Sequence, residues 1–149
     1  MPPDDIPLVV RKLSRRIPRT ALCDFLIEIT RRISGGREIV CLIADDRELR
    51  KLNREFRGKD CTTDVLSFPS DSANGAGLGE IAISIDRAAV QAGEHGHSIT
   101  DELRILMLHG ALHLAGFDHE KDSGEMERAE LRWRKRFGLP CGLIERASK

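Results

Sequence analysis

The sequence predicts a single domain of the α+β class, with a small mixed sheet of about four strands packed against about five helices. Three observations indicate this fold. Short apolar or alternating runs are typical of strands, longer segments with apolar residues every three or four positions are typical of helices, and one nearly all-apolar helical segment leads into a cluster of histidines. At 149 residues the chain can bury one core, so we expect one domain over residues 1–149 with a metal site on a central helix.

The predicted strands are short and bounded by turn-forming residues. The continuous apolar run Glu38–Ala44 is typical of a strand covered on both faces, whereas the alternation at residues 79–85 is typical of a strand with one buried face. Pro69 is expected to end another strand, and a mobile loop rich in Ser, Asn and Gly is expected at residues 70–79. The four predicted strands are residues 6–10, 38–44, 65–68 and 79–85.

The predicted helices begin at capping residues and end at glycines. The first covers residues 18–33, the second ends near Gly58, and the last covers residues 123–137. The helix that leads to the histidines is apolar nearly all round, which predicts that it is buried. The expected capping residues are Asp45 and Asp46 for the second helix, Asp86 for the third, and Ser98 or Thr100 for the fourth.

Three of the five histidines lie close together, at positions 109, 113 and 119. On an α-helix, His109 and His113 lie one turn apart on the same face, about 40° apart around the axis, so both imidazoles can face one ion. Gly116 offers the left-handed conformation that ends a helix, and His119 follows three residues later. Three protein ligands with an open fourth position are typical of a catalytic zinc rather than a structural one.

A simpler explanation exists for isolated histidines, because most are surface or core residues with a satisfied hydrogen bond. A pair at helical spacing also arises often by chance. Three histidines at these spacings, with a glycine at the turn, favour metal binding instead. An all-nitrogen ligand set suits zinc best, although nickel or copper would also bind in vitro, so we predict one zinc ion at this site.

Gly110 stands where peptidases of the His-Glu-x-x-His class carry their catalytic glutamate. In those enzymes the glutamate takes a proton from the water on the metal, and glycine has no side chain that could do so. The histidine spacing therefore matches that of a zincin-like peptidase, but the missing base argues against ordinary peptide hydrolysis.

The composition excludes several classes of function. Lys plus Arg and Asp plus Glu number 24 each, so the formal net charge is zero and we expect no DNA binding. The four cysteines lack zinc-finger and C-x-x-C spacing, which predicts reduced thiols. The first residues lack a signal-peptide pattern, and no run approaches the ~20 apolar residues of a membrane span, so we expect a cytoplasmic protein without membrane contact.

A second polar segment, residues 53–69, joins the end of a helix to a strand. Its Arg57 and Lys59 could bind a phosphodiester, since a guanidinium contacts phosphate oxygens bidentately and an ammonium acts as a point charge. The alternative is that Asp60 or Asp64 pairs with these cations on the surface. Composition alone leaves both explanations open.

Four segments of the chain together closely resemble the YbeY family of bacterial ribosomal RNA maturation factors. They are Arg57-Gly58-Lys59-Asp60, Thr63-Asp64-Val65-Leu66-Ser67-Phe68-Pro69, Leu78-Gly79-Glu80-Ile81 and His109-Gly-x-Leu-His113-Leu-x-Gly-Phe-Asp-His119. The likeness runs from about residue 37 to 137. It implies a zinc-dependent endoribonuclease specific for single-stranded RNA, with the small ribosomal subunit and its assembly factors as partners. It also implies a role in 16S rRNA 3′-end maturation and ribosome quality control, and a zincin-like domain with the zinc at its cleft.

The same resemblance assigns roles to single residues. It implies zinc ligands at His109, His113 and His119 and a substrate-contacting arginine at Arg57. The chain departs from the family at two places: Cys61 and Thr62 stand where the family commonly has lysine and proline, and Glu80 stands where it usually has aspartate. The first departure weakens the local basic patch, and neither touches the metal ligands.

Our hypothesis for the chemistry is that zinc lowers the pKa of a bound water toward ~7 and polarises a phosphate oxygen. Arg57 would then offset the charge of the transition state. Proton removal could fall to the metal alone or to Asp118. The Asp118 carboxylate could instead orient an imidazole, and we favour that role for it. Alternatively the RNA's own 2′-hydroxyl attacks, leaving a 2′,3′-cyclic phosphate. Two rival functions stay open, a zincin-like metallopeptidase and a non-catalytic ribosome-assembly factor with a structural zinc.

Overall fold

The computed structural model describes residues 8–11, 16–70 and 77–147, which form one four-stranded sheet and six helices. The strands are β1 (Leu8–Val10), β2 (Glu38–Ala44), β3 (Val65–Pro69) and β4 (Gly77–Ser84). The helices are α1 (Arg19–Arg32), α2 (Asp46–Arg57), α3 (Ile85–His95), α4 (Ile99–Leu114), α5 (Glu125–Arg136) and α6 (Leu143–Ala147). The predicted α+β class, with about four strands and about five helices, is confirmed.

The sheet is mixed, with the strand order β1-β2-β4-β3. The pairs β1/β2 and β2/β4 are parallel, and β3 runs antiparallel to β4. Parallel neighbours need a crossover connection, and α1 supplies the one between β1 and β2. On β2 the side chains of Ile39, Cys41 and Ile43 are fully buried. Ala44, on the opposite face, belongs to a second apolar cluster with Leu49 of α2, as expected for a strand covered on both faces.

Helix α4 lies at the centre of the domain and packs against α1, α3, α5 and the strands β3 and β4. Because its residues are apolar nearly all round, the helix can be surrounded in this way with few polar side chains buried. Ser98 caps its start, accepting a hydrogen bond from the backbone N–H of Asp101, so one of the two predicted caps is confirmed. The large apolar side chains of α4 with at most 1% of their surface exposed are Leu103, Ile105, Leu106, Met107, Leu108 and Leu112.

Of the caps predicted for α2 and α3, one is confirmed and one is wrong. Asp45 caps α2 by accepting from the N–H of Glu48, and Gly58 ends it with φ +70°, both as predicted. The predicted cap Asp86 of α3 is wrong, because Ser84 holds that place. The Asp86 carboxylate instead accepts a hydrogen bond of 2.8 Å from the N–H of Asp46, which ties the start of α2 to that of α3.

Several predicted boundaries were wrong by a few residues. β4 begins at Gly77 rather than at residue 79, so the predicted loop at 70–79 is shorter, and residues 71–76 lie outside the described residues, as do residues 6 and 7 of the first strand. Helix α6 was not predicted, since five residues are too few to show a helical periodicity. No helix in the described part of the chain is long and apolar enough to cross a membrane.

Candidate metal centre and cleft

The three predicted histidines meet at the end of α4. His109 and His113 lie in its last two turns, Gly116 turns the chain with φ +106°, and His119 returns to the same place. One ring nitrogen from each histidine can be chosen so that all three lie within 4.8 Å of one another. The ring centroids are 4.8 Å (109 to 113), 5.5 Å (109 to 119) and 5.4 Å (113 to 119) apart. The three residues could therefore hold a single metal ion.

Two of the rings are fixed by hydrogen bonds from Nδ1. His109 Nδ1 lies 2.8 Å from Oε2 of Glu130, and His113 Nδ1 lies 3.1 Å from the carbonyl oxygen of Phe117. Since a carboxylate and a carbonyl only accept, each Nδ1 donates in its contact, and in the neutral ring Nε2 then carries the lone pair. A histidine that binds a metal through one ring nitrogen usually donates a hydrogen bond from the other ring nitrogen in this way.

The environment of His113 favours the same neutral form. Burial lowers the pKa of His113 below the ordinary value, and the neighbouring His109 lowers it further. A ligand must be deprotonated at the binding nitrogen, so a depressed pKa leaves more of the site ready for a metal at neutral pH.

Glu130 is a site residue that the sequence analysis missed. It lies on α5 with 1% of its surface exposed, 21 positions after the histidine it contacts. Asp118, which we had favoured for orienting an imidazole, uses its Oδ1 to accept from the N–H of Glu120 in the turn after α4. The only sequence signal for Glu130 was the position of its carboxylate on the apolar side of α5, beside Met126 and Ala129.

Gly110 lies where α4 packs closely against the sheet. A Cβ on Gly110 would lie 3.0 to 3.2 Å from three side-chain carbons of Ile81 on β4. The close approach of α4 to the sheet also lets the hydroxyl of Ser67 donate to the carbonyl of Gly110 at 3.2 Å. A side chain at the position of the peptidase base would therefore require Ile81 to shift by a few tenths of an ångström.

The histidines open into a cleft of about 1260 Å³. Of the other predicted site residues, Arg57 and Asp118 line it, whereas Lys59 is exposed and outside its lining. The alternative that surface aspartates pair with Arg57 or Lys59 has no support among the described contacts. Asp60 pairs with Arg50 at 2.9 Å and Arg54 at 3.8 Å, and Asp64 accepts from Gln91 at 3.2 Å.

Comparison with known families gives a match over most of the chain. The family model described as "Endoribonuclease YbeY" matches residues 12–138, which include all three histidines and Arg57. The chain belongs to the YbeY family. The resemblance drawn from four sequence segments is therefore confirmed.

Curated relatives support the same assignment. A protein named "Endoribonuclease YbeY" from Solibacter usitatus is 49% identical over 144 residues, covering 97% of this chain and 96% of the relative. One of the same name from Koribacter versatilis is 48% identical, covering 95% and 92%. The solution structure of TM1509 from Thermotoga maritima shares the fold, with a TM-score of 0.58 and 28% identity over 89% of this chain and 93% of that one.

Proposed function

We propose that this chain is an endoribonuclease that cuts single-stranded RNA with the help of one zinc ion. His109, His113 and His119 would hold the ion, and the whole chain, residues 1–149, would act as one domain. The observation that carries the proposal is the histidine triad, opening into a cleft that Arg57 also lines. Membership of a family whose curated members are named endoribonucleases supports RNA as the substrate class.

The donor set fits zinc. Three imidazoles offer borderline nitrogen ligands, and the buried His109 with its carboxylate partner is typical of a preorganised ligand. When bound, zinc supplies Lewis-acid chemistry, polarising a phosphoryl oxygen and acidifying a coordinated water. The missing glutamate at position 110 supports a phosphodiester rather than a peptide substrate, since the peptidase reaction depends on that base.

Arg57 is the residue we propose for binding the scissile phosphate. It is the last residue of α2, its side chain is exposed, and it lines the cleft with the histidines. A guanidinium binds phosphate oxygens bidentately and can offset the negative charge that grows in the transition state. Lys59, two residues further on, lies outside the cleft lining, so we propose for it a weaker contact with a neighbouring phosphate.

The residue that handles the proton is a further part of the proposal. Asp118 lines the cleft directly before His119, so its carboxylate could accept a proton there. If the RNA's own 2′-hydroxyl is the nucleophile, the product carries a 2′,3′-cyclic phosphate; attack by water leaves none. Mass spectrometry of the cleaved ends distinguishes the two routes.

The biological setting that fits this activity is maturation of the 16S rRNA 3′ end and ribosome quality control in the cytoplasm. Small-subunit assembly factors would be the partners. The name that curated members carry supports the RNA cleavage on which this setting depends.

The test is cleavage of single-stranded and duplex RNA by the zinc-loaded chain. We expect cleavage of the single strand, its loss in His113→Ala, and a fall of about 10²-fold or more in Arg57→Ala. Arg54→Ala is the matched control, because Arg54 lies on the same helix but pairs with Asp60 outside the cleft lining. A zinc-loaded chain that never cuts RNA, yet loses its thermal stability on chelation, would favour the assembly factor with a structural zinc. Peptide cleavage lost in His113→Ala would favour the peptidase.

A further inference from the structure

Glu130 joins the metal centre to the C-terminal segment of the chain. Its side chain is buried, and its two oxygens have different partners. Oε2 accepts from His109 Nδ1 at 2.8 Å, and Oε1 accepts from the backbone N–H of Ile144 at 2.7 Å. A buried carboxylate is costly unless both oxygens are hydrogen-bonded, so each contact depends on the other.

We infer that Glu130 is a positioning residue for the ligand His109, and that the segment at residues 142–144 in turn fixes Glu130. The inference rests on the proposed metal site. A carboxylate on Nδ1 holds the imidazole in one tautomer and one orientation and makes Nε2 a better donor. Through this chain of contacts, docking of the C-terminal segment sets the geometry of a metal ligand.

Gly142 lies directly against the carboxylate of Glu130. A Cβ at this position would lie 2.7 Å from Oε1 of Glu130 and 3.2 Å from its Cγ. The backbone of Gly142 is not in the left-handed region, so alanine adds no backbone strain of that kind and its effect falls on the contact with Glu130. Gly142→Ala therefore displaces the Glu130 carboxylate while leaving every atom of Glu130 and His109 in the chain.

The experiment measures affinity for zinc alone, by competition with a chromophoric chelator. Glu130→Gln keeps the side-chain volume but replaces one acceptor oxygen with an NH2 group, which is a donor. That NH2 group must then face either His109 Nδ1–H or the N–H of Ile144, so two donors meet and one hydrogen bond is lost. We expect zinc affinity to fall about 10- to 100-fold in Glu130→Gln and in the same direction in Gly142→Ala. The visible spectrum of the cobalt-substituted site should change as well, because it reports ligand geometry.

Two controls match these variants. Glu127→Gln removes a carboxylate from the same helix, and Gly93→Ala adds a methyl where nothing lies within 4 Å. Both should bind zinc within about twofold of the native chain, since neither touches a ligand partner. If Glu130→Gln does not fold, Gly142→Ala decides.

Three outcomes would count against the inference. Native zinc affinity in both variants would overturn it. A lower melting temperature of the metal-free variants, with zinc affinity and cobalt spectrum unchanged, would overturn it too, because such a result shows a purely structural role for Glu130. A native chain that takes up no zinc would remove the proposed metal site itself, and this inference with it. Zinc binding by the native chain that is insensitive to Glu130 leaves the proposed function standing.

A different observation concerns Phe56, another residue that lines the cleft. Phe56, on the last turn of α2 directly before Arg57, is 66% exposed and lines the cleft. Its ring packs against that of Phe68, with centroids 5.2 Å apart and an interplanar angle of 59°. An exposed aromatic ring beside a phosphate-binding candidate has the chemistry of a stacking site for a base.

We propose, as a second inference that rests on the proposed function, that Phe56 stacks on an unpaired nucleobase of the RNA. Base stacking on an aromatic side chain needs a base that is free of its duplex neighbours, so this contact would favour single strands. Arg57 next to it would bind the phosphate of the same region. Together they give the cleft a preference for single-stranded RNA without a preference for sequence.

The test is binding of a 2′-O-methyl oligonucleotide, which removes the attacking 2′-hydroxyl, with its integrity checked on a gel. We expect Phe56→Ala to weaken binding about 10-fold and Phe56→Trp to keep it. The loss should vanish for an abasic oligonucleotide of the same length. The control is Val90→Ala, which removes a side chain that is 52% exposed on α3 and does not line the cleft.

Native affinity in Phe56→Ala, or an equal loss on the abasic strand, would overturn the stacking site. Either result would leave RNA cleavage by the native chain intact. Conversely, the expected binding pattern without any cleavage of natural RNA would refute the proposed enzyme and keep the stacking site.

Discussion

Arg146 near the C-terminus is predicted to contribute strongly to stability, and its loss can be worked out from the structure. It donates to both oxygens of Glu102 on α4, at 2.8 Å and 2.6 Å, and Glu102 is fully buried. His97 Nε2 lies 2.7 Å from the same carboxylate. Arg146→Ala would therefore leave a buried carboxylate with His97 as its remaining ionisable partner.

Removing one partner of a buried ion pair costs about 3–5 kcal/mol, because the other charge is left without compensation. His97 stays within reach of Glu102, so we expect the lower end, about 3 kcal/mol. For a chain of this size that corresponds to a fall of about 6–12 °C in melting temperature. Urea unfolding at pH 7.5 measures the change in free energy directly.

The pH dependence gives an independent check. Burial opposes ionisation of Glu102, but the hydrogen bonds from Arg146 and His97 outweigh it and hold its pKa below the ordinary value. A lowered folded-state pKa gives stability that is present above the unfolded pKa and is lost as pH falls through the folded value. In Arg146→Ala the effect of burial on the pKa of Glu102 is less opposed, so this carboxylate should take up its proton at a higher pH than in the native chain. The difference between the two chains should therefore shrink between pH 7.5 and about 5.

Two results would refute this reasoning. One is a difference below about 1 kcal/mol at pH 7.5, the size of an exposed pair. The other is a difference that grows on acidification. The control is the double variant Glu102→Met with Arg146→Met, which replaces both charges with apolar side chains and should regain most of the lost stability.

Three further predictions concern packing and reactivity. Gly79→Ala should cost at least about 3 kcal/mol in urea unfolding, because φ is +155° and the new Cβ would lie 2.5 Å from the carbonyl oxygen of Phe68. Leu106→Ala, at a fully buried position of α4, should cost about 2–5 kcal/mol in the same assay, and a smaller loss would show that the core collapses around the cavity. Burial raises the pKa of Cys41 to about 12, so peptide mapping after mild alkylation at pH 8 should find exposed Cys61 modified and Cys41 intact; early labelling of Cys41 would contradict its burial.

The parts of the site that could be predicted from sequence are those made by neighbours along the chain. His109 and His113 are one helical turn apart, and a glycine three residues before His119 allows the return, so local geometry brings the three rings together. The strand Glu38–Ala44 was predicted with its correct bounds because its apolar run is set against charged residues at both ends.

The parts that were missed depend on contacts between distant segments. Glu130 meets His109 across 21 positions, and Arg146 meets Glu102 across 44, and no periodicity encodes either pair. The cap of α3 was a local choice between two suitable residues, Ser84 and Asp86. Pairing of β4 with β2 extends to Ser84, which fixes the strand end there and leaves Ser84 as the cap.

Gly110 shows that the chemistry of the site and the packing of α4 are not independent. Because Ile81 on β4 already lies within 3.2 Å of the place of a Cβ, any side chain at this position would require Ile81 to shift by a few tenths of an ångström. His109 directly precedes Gly110 and His113 is the next ligand on the helix, so the close contact of α4 with the sheet is made between two of the proposed metal ligands. Glycine at this position allows that contact and leaves position 110 without a base. Any carboxylate that takes part in the reaction must therefore come from another position, and we propose Asp118, which lines the cleft after the end of α4.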